Sequence, residues 1–245
     1  MKNSYQKDLF IGLSHRGNSK KFLENSFEAF NSVIQMGYKH IETDLRMTLD
    51  NEVIAFHDPD LKRLFSLDLQ VKDLTFNEID NLFKEKKSSL LTLEDALKKF
   101  PEIYFNIDLK VEKVVQDSIK VVADLNAFDR VCFASFQSSR IEKVLQHNQK
   151  AIVSMGMKDV ALFKFFKLKD KNIKIIQIPL KWKGIKVLTK NLIQKAHKSN
   201  LLVHVWTIND RKTINNLIDL GVNGVVTDEP ELLMEIMKER DLISN

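Results

Sequence analysis

The sequence has little cysteine, glycine or proline, and each scarcity excludes a class of protein. The one cysteine, Cys132, excludes a disulfide framework and indicates a reducing compartment. Its apolar neighbours predict a small buried side chain rather than a nucleophile. Seven glycines and four prolines among 245 residues, with 44% hydrophobic residues, exclude a disordered chain and favour one domain, residues 1–245, with a large core.

Long hydrophobic runs are also missing from the chain. Residues 1–8 are polar, and the apolar stretch that follows them is much shorter than the core of a signal peptide or a membrane span. We therefore expect a cytoplasmic protein without stable membrane insertion.

The chain carries a formal net charge of +5, and its lysines are spread along the sequence, with a dense run at Lys164, Lys167, Lys169 and Lys171. Such a run predicts a solvated helix face, with attraction of anionic substrates or phospholipid surfaces as the alternative. No zinc-finger spacing, RNA-recognition sequence or basic-aromatic stripe is present, so nucleic acid is not an expected partner.

Short apolar segments alternate with amphipathic ones along the chain. Helix starts are indicated at Asn25 with Glu28, at Thr92, at Asp210 and at Pro230. Eight strands are predicted, at residues 9–14, 39–45, 103–109, 130–135, 151–155, 174–178, 201–206 and 224–227. Eight strands alternating with helices predict an α/β protein with a (β/α)8 TIM barrel, and a doubly wound sheet is the weaker alternative.

Two segments interrupt this alternation after the second strand. Residues 46–57 predict a hairpin, and a two-residue turn at Asp50-Asn51 would place His57 opposite Asp44. Residues 58–91 then form a small insertion with its own capping box, Thr75 and Glu78. Both segments follow the C-terminal end of a strand, where barrel enzymes build their active sites.

Alternation along the strands predicts which side chains face into the barrel. Glu42 and Asp44 share one face of the second strand, and Asp108 lies on the inward face of the third. Three converging carboxylates need a compensating cation, and their oxygens are hard ligands suited to Mg²⁺ or Ca²⁺. The alternative is an internal salt-bridge cluster with Arg16, Lys110 and Arg46.

Eight short motifs carry a family resemblance from about His15 to Asp228. They are Ser14-His15-Arg16-Gly17, Glu24-Asn25-Ser26, Glu42-Thr43-Asp44, His57-Asp58, Asp108-Leu109-Lys110, Ser135-Phe136, Val205-Trp206-Thr207-Ile208-Asn209 and Thr227-Asp228. In this order they resemble the motifs of the glycerophosphodiester phosphodiesterase family. The family has a (β/α)8 barrel with a small insertion after the second strand, in agreement with the independent reading of residues 58–91.

The resemblance implies metal-dependent hydrolysis of a small-molecule glycerophosphodiester to glycerol 3-phosphate and an alcohol. The implied roles are general acid and base for His15 and His57, phosphate binding for Arg16 and Lys110, and metal binding for Glu42, Asp44 and Asp108. Such a site would neutralise charge on the phosphoryl oxygens while one imidazole removes a proton and the other donates one.

Phe136 and Trp206, at the C-terminal ends of their strands, are expected to wall the pocket and contact the substrate, although core aromatics would look the same in sequence. Asp108 departs from the family pattern, which typically has Glu there, so its reach to a metal is in question.

Two other functions stay open at this stage. A lysophospholipase D-type phosphodiesterase would need a larger apolar lid, for which the insertion offers Leu61, Leu64, Phe65, Leu67 and Leu69. A non-catalytic phosphodiester-binding barrel is the other alternative, and it is disfavoured because such a protein has no need of two histidines placed for proton transfer.

Overall fold

The computed structural model describes residues 10–243, and eleven strands occur in this range. The strands are β1 (Ile11–His15), β2 (His40–Met47), β3 (Val53–Ala55), β4 (Tyr104–Leu109), β5 (Val131–Ala134), β6 (Ile152–Val153), β7 (Ile175–Pro179), β8 (Lys181–Trp182), β9 (Ile185–Lys186), β10 (Leu202–Trp206) and β11 (Gly224–Thr227).

Eight of these strands are parallel and follow the order β6-β5-β4-β2-β1-β11-β10-β7. The two ends of this sheet approach each other where the amide of Met155 donates to the carbonyl oxygen of Ile175 at 3.0 Å. The predicted (β/α)8 barrel is therefore confirmed, with all eight predicted strands present. Leu9, placed in the first strand by the sequence pattern, lies outside the described residues.

Ten α-helices connect the strands, and most of them cover the outside of the barrel. They are α1 (Phe27–Gln35), α2 (Lys62–Phe65), α3 (Phe76–Glu85), α4 (Leu93–Lys99), α5 (Val114–Asp124), α6 (Ser138–His147), α7 (Met157–Phe166), α8 (Lys190–Lys198), α9 (Arg211–Asp219) and α10 (Pro230–Glu239). The main core lies between helices and sheet, while a smaller apolar cluster that includes the buried Cys132 fills the barrel interior.

The predicted helix starts hold with one correction. Thr92 and Asp210 cap α4 and α9, and Pro230 opens α10. The cap of α1 is Ser26, whose hydroxyl accepts a hydrogen bond from the amide of Ala29. Asn25 instead has a left-handed backbone (φ 58°), which directs its side chain toward β2.

The hairpin after β2 is displaced by one residue from the prediction. Leu45 pairs with Ala55, so Asp44 lies opposite Phe56 and the predicted pairing of Asp44 with His57 is wrong. The turn spans five residues, closed by a hydrogen bond from the amide of Thr48 to the carbonyl of Glu52. A shift of one residue exchanges the two faces of a strand.

The insertion at residues 58–91 has its own apolar cluster. It comprises α2, a 3-10 helix at Val71–Asp73, and α3 with the predicted capping box formed in both directions. Leu61 is fully buried in this cluster, and Leu64, Phe65 and Leu67 pack against it. Four of the five proposed lid side chains therefore stabilise the insertion itself, whereas Leu69 is 46% exposed, so an apolar lid stays a prediction.

Within residues 10–243, none of the helices is both long enough and apolar enough to cross a membrane.

Gly17, just after β1, provides a test of the packing that sets the site. It has φ +79°, and a Cβ there would lie 2.6 Å from the carbonyl carbon of Ala29. Gly184 has a similar φ of +82° with open space around it. We expect Gly17→Ala to lower the free energy of unfolding by about 2–5 kcal/mol, since it adds a clash to the backbone penalty. Gly184→Ala should lose only about 1 kcal/mol.

Urea denaturation of both variants measures the difference. Equal losses at the two positions would show that the approach of Ala29 imposes no constraint on residue 17.

Candidate active site

The C-terminal ends of the barrel strands surround a cavity of about 470 Å³. All nine site residues predicted from the sequence line it: His15, Arg16, Glu42, Asp44, His57, Asp108, Lys110, Phe136 and Trp206. This location is where barrel enzymes place their active sites.

Asp44 is the most deeply buried charge of the site, with 1% of its surface exposed. Its Oδ1 lies 2.8 Å from Nζ of Lys110, and its Oδ2 lies 3.1 Å from Nε of Arg16. Lys110 also donates to Oδ2 of Asp108 at 2.6 Å. Asp44 and Asp108 are neighbours across β2 and β4, which explains how one ammonium group reaches both.

The backbone around Arg16 turns its guanidinium toward Asp44. Arg16 has a left-handed φ of 60°, and its amide donates to the carbonyl of Glu42 on the adjacent strand at 2.9 Å. Asn25 supports the same carboxylate with a hydrogen bond of 3.3 Å, while its amide oxygen accepts from the Thr43 hydroxyl. The loop after β1 therefore contributes two groups that hold Asp44 ionised.

The pKa values of the three carboxylates shift in different directions. Burial favours the neutral form of Asp44, but Lys110 and Arg16 outweigh it and lower its pKa to about 2. Burial and the charge of Asp44 raise the pKa of Glu42 to about 8, and burial also raises the pKa of Asp108. Asp44 therefore stays ionised, whereas Glu42 and Asp108 have too little positive charge around them to lower their pKa values.

The donor chemistry of these residues fits an oxygen-seeking cation. Glu42 Oε2 and Asp108 Oδ1 are buried and accept no hydrogen bond in the part of the chain that is described, and buried anionic oxygens are costly unless they are paired. Over residues 10–243, however, no group of three His, Cys, Asp or Glu side chains forms a metal-binding arrangement. Lys110 forms ion pairs with both Asp44 and Asp108, so the metal site stays a prediction.

The alternative of an internal salt-bridge cluster describes part of this geometry. Arg16 and Lys110 do pair with Asp44, as that interpretation expected. Arg46 instead donates from Nε to the carbonyl oxygen of His57 at 2.7 Å. This bond fixes the backbone of His57 where the chain leaves the hairpin.

Each histidine of the site is held by a carboxylate through Nδ1. For His15 the partner is Asp228, at 2.6 Å, and for His57 it is the adjacent Asp58, at 2.7 Å. Because Nδ1 is occupied, Nε2 of each ring is the nitrogen left for proton transfer. His15 Nε2 also lies 3.8 Å from Glu42 Oε2.

The two imidazoles have opposite pKa shifts. Burial is the largest influence on His15 and would lower its pKa, but Asp228 and Glu42 outweigh it and the pKa is raised. Burial is also the largest influence on His57, where it prevails and the pKa is lowered.

A network of ion pairs that the sequence analysis missed supports His57. Arg63, on α2 of the insertion, donates from Nε to Asp58 Oδ2 at 2.6 Å. Its two terminal nitrogens bind the carboxylate of Glu24 at 2.6 and 2.8 Å, and Glu24 also accepts from Arg16 at 3.1 Å. Glu24 and Asp58 belong to the family motifs, whereas no local pattern indicated Arg63.

Three aromatic rings form one wall of the cavity. Phe136 lies 5.7 Å from Trp206 and 5.8 Å from Trp182, measured between ring centroids. Phe136 and Trp206 therefore line the cavity, and their contact with the substrate stays a prediction. Trp182, on the short β8–β9 hairpin, was not predicted, because nothing in the sequence indicated that this hairpin reaches the site.

The comparisons with known proteins agree with this geometry. The sequence pattern of the Glycerophosphoryl diester phosphodiesterase family matches residues 15–232. The chain belongs to this family. The predicted family and enzyme class are thereby confirmed.

Individual relatives extend over most of the chain. A probable glycerophosphodiester phosphodiesterase 2 of Mycobacterium tuberculosis is 28% identical, over 94% of this chain and 91% of that protein. Lysophospholipase D GDPD1 of Rattus norvegicus is 24% identical, over 95% and 87%. The structure also resembles a phosphodiesterase of Oleispira antarctica in complex with the product sn-glycerol-3-phosphate, with a TM-score of 0.76, 18% identity, and coverage of 95% and 97%.

The carboxylate partners of the histidines provide a second test. Asp228→Asn should lower the pKa of His15, because the anion that favours its charged form is removed while burial remains. Asp58→Asn should lower the pKa of His57 for the same reason. NMR titration of the imidazole carbon-bound protons measures both values, and Asp210→Asn, which alters only a helix cap, is the matched control.

An unchanged His15 pKa in Asp228→Asn would contradict the assigned hydrogen bond. The same test applies to His57 in Asp58→Asn.

Proposed function

We propose that this protein hydrolyses glycerophosphodiesters to glycerol 3-phosphate and an alcohol by acid-base catalysis from His15 and His57. The observation that carries this proposal is the pair of histidines, each bonded to its own carboxylate, on one cavity that also contains Arg16 and Lys110. Two poised proton-transfer groups beside two cations match the needs of phosphodiester cleavage. The product-bound Oleispira antarctica structure supports the substrate class.

The environments of the histidines favour one assignment of roles. Asp58 shares its charge with Arg63, whereas Asp228 is bonded by the neutral amide of Asn209, at 2.8 Å. Asp228 therefore stabilises a positively charged imidazole more strongly than Asp58 does. His15, with its raised pKa, would be the general acid, and His57, with its lowered pKa, the general base.

The assignment of acid and base fixes the pH range in which both histidines are in their working protonation states. A general acid must be protonated and works below its pKa, while a general base must be neutral and works above its pKa. Since the pKa of His57 is lowered and that of His15 is raised, both are in the working state at pH values between the two. The opposite assignment would leave the working state a minority form at every pH.

Arg16 and Lys110 would hold the phosphate, and Asp44 would fix both of them. Arg16 offers the fork geometry that suits phosphate oxygens, and Lys110 offers a compact positive charge. Their ion pairs with Asp44 keep both charged in the buried site. A bound phosphodiester would thus find two cations already positioned.

A divalent cation, Mg²⁺ or Ca²⁺, would be held by Glu42, Asp44 and Asp108. The unpartnered oxygens of Glu42 and Asp108 support this part of the proposal. When bound, such an ion supplies additional neutralisation of the phosphoryl oxygens. The proton transfers remain the work of the two histidines.

A lysophospholipid is the second candidate substrate, and the apolar lining of the cavity supports it. Besides Phe136, Trp182 and Trp206, the cavity is lined by Met155, Met157, Val160, Phe165, Ile178, Ile185 and Val187. This apolar wall could accommodate an acyl chain. The rat relative named lysophospholipase D makes the comparison relevant.

A substrate panel tests the proposed reaction. Release of alcohol from glycerophosphocholine, glycerophosphoethanolamine and lysophosphatidylcholine should be measurable, and a chelator should abolish it, with recovery on addition of Mg²⁺ or Ca²⁺. Chelation should also lower the melting temperature, because a ligand bound only by the folded state is lost.

Undiminished activity after exhaustive chelation would exclude the metal requirement. Absence of product from every diester would overturn the proposed reaction. Glu42→Gln is a useful variant here, since it keeps the side-chain volume and should raise the metal concentration needed for half-maximal rate.

The leaving group distinguishes the two histidines. His15→Ala should lose about 100-fold or more activity on glycerophosphocholine, whose alkoxide needs a proton, and far less on a nitrophenyl phosphodiester. His57→Ala should be impaired on both substrates, because each requires an activated nucleophile. Rates for the two variants on the two substrates give the comparison.

Equal losses for both variants on both substrates would argue that the histidines bind phosphate instead. Selective loss in His57→Ala would exchange the assigned roles.

A further inference from the structure

Exposed apolar side chains are concentrated around the mouth of the cavity. Among residues 10–243, twelve large hydrophobic side chains are exposed; five of them line the cavity, and two more, Phe166 and Leu168, follow the cavity-lining Phe165 in the chain. We call these seven the apolar rim: Phe136, Met157, Phe165, Phe166, Leu168, Trp182 and Ile185. Phe165, Phe166 and Ile185 are 72%, 69% and 69% exposed, so no fold contact accounts for them. Large exposed apolar patches mark interaction sites.

The apolar rim is continuous with the catalytic cavity. Phe136, Met157, Phe165, Trp182 and Ile185 line that cavity as well as facing solvent. The end of α7 is joined to the β8–β9 hairpin by a hydrogen bond from Nζ of Lys164 to the carbonyl of Lys186, at 3.3 Å. One connected surface therefore surrounds the entrance used by the substrate.

The same segment carries most of the excess positive charge of the protein. Residues 157–190 contain ten lysines and two aspartates, a formal charge of +8, while the rest of the chain has 28 basic and 31 acidic side chains. In the described part of the chain, Lys84, Lys98, Lys120 and Lys143 form ion pairs, but no lysine of residues 157–190 does. Lys164, Lys169 and Lys174 donate to backbone carbonyls, and the other seven ammonium groups are available to an anionic partner.

We propose that the apolar rim docks into the interface of an anionic phospholipid bilayer, with the lysines that flank it in the chain, Lys167, Lys181, Lys183 and Lys186, binding the lipid head groups. Aromatic side chains enter the head-group region, and lysines extend from an apolar surface toward lipid phosphates. Each lysine near such a surface contributes attraction that salt weakens. A second copy of the chain is disfavoured as the occupant, since two lysine-rich surfaces repel each other.

Docking in this orientation would place the cavity mouth against the lipid surface. A diester carrying an acyl chain would then reach His15 and His57 from the bilayer without exposing that chain to water. The docking itself needs no catalysis, so it can fail or succeed independently of the proposed hydrolysis.

Vesicle co-sedimentation of the full chain tests the proposal. The protein should bind vesicles made of an equal mixture of phosphatidylcholine and phosphatidylglycerol, and bind pure phosphatidylcholine weakly. Phe166→Ser with Leu168→Ser should reduce the partition coefficient by about tenfold or more, because two rim side chains are lost. Lys167→Gln and Lys183→Gln should each reduce it by about fivefold.

Matched controls separate the rim from general surface effects. Leu49→Ser with Leu220→Ser removes two exposed leucines elsewhere, and Lys72→Gln and Lys212→Gln remove the same charge elsewhere. All four changes should leave vesicle binding unaltered. Phe166 and Leu168 do not line the cavity, so their double variant should keep its activity on glycerophosphocholine.

Tryptophan fluorescence tests insertion as distinct from adsorption. The chain has two tryptophans, so Trp206→Phe leaves Trp182 of the rim as the only reporter. Lipids with brominated acyl chains should quench Trp182 on binding. Salt-reversible binding without quenching would overturn insertion of the rim, and equal binding by rim and control variants would overturn the assigned surface. Absence of vesicle binding, with a dimer that the Phe166→Ser and Leu168→Ser changes dissociate, would identify a second copy as the occupant.

Discussion

The buried charge of Asp44 is the constraint on which the rest of the site depends. An ionised carboxylate with 1% exposure is tolerated only when it is closely paired. Its partners, Arg16, Lys110 and Asn25, come from the end of β1, the end of β4 and the loop before α1. Losing one partner of a buried pair costs about 3–5 kcal/mol. The groups proposed to bind phosphate are therefore also needed to neutralise the protein's own anion, and folding positions them before any substrate arrives.

From Asp44 the charges alternate outward toward the insertion. Arg16 bonds to Glu24, Glu24 to Arg63, and Arg63 to Asp58, which holds His57. Each carboxylate of this series is paired with at least one guanidinium, so the series of ion pairs can be partly buried. The insertion thus serves the site through one guanidinium on α2, and most of its apolar residues pack into its own cluster. This explains why the insertion is placed directly after the hairpin that carries His57.

The alternation of side chains along the strands was sufficient to predict much of this arrangement, because successive residues of a barrel strand point alternately inward and outward. It predicted that Glu42, Asp44 and Asp108 face one cavity, and they do. The hairpin register failed by one residue, since Asp50-Asn51 lies within a five-residue turn held by Thr48 and Glu52, and turn length cannot be read from two residues. Arg63 and Trp182 were missed for a different reason. Each lies on a short element that tertiary packing brings to the site. No periodic pattern of apolar residues around either one indicates where its side chain points.

In the lysine-rich segment, residues 157–190, the hydrophobic pattern does not predict which side chains are buried. The run Lys164, Lys167, Lys169 and Lys171 predicted a solvated helix face, but α7 ends at Phe166, so only Lys164 of the four lies on it. This helix buries only Phe163 fully and leaves Phe165 and Phe166 in solvent. Apolar and basic side chains occupy the same surface there, an arrangement that water disfavours and an anionic lipid interface favours. The cavity has the same division, with charges at the strand ends and aromatic rings toward the mouth. Chemistry at the polar end requires only a phosphodiester, so discrimination between a small diester and a lipid one must be made by the apolar end.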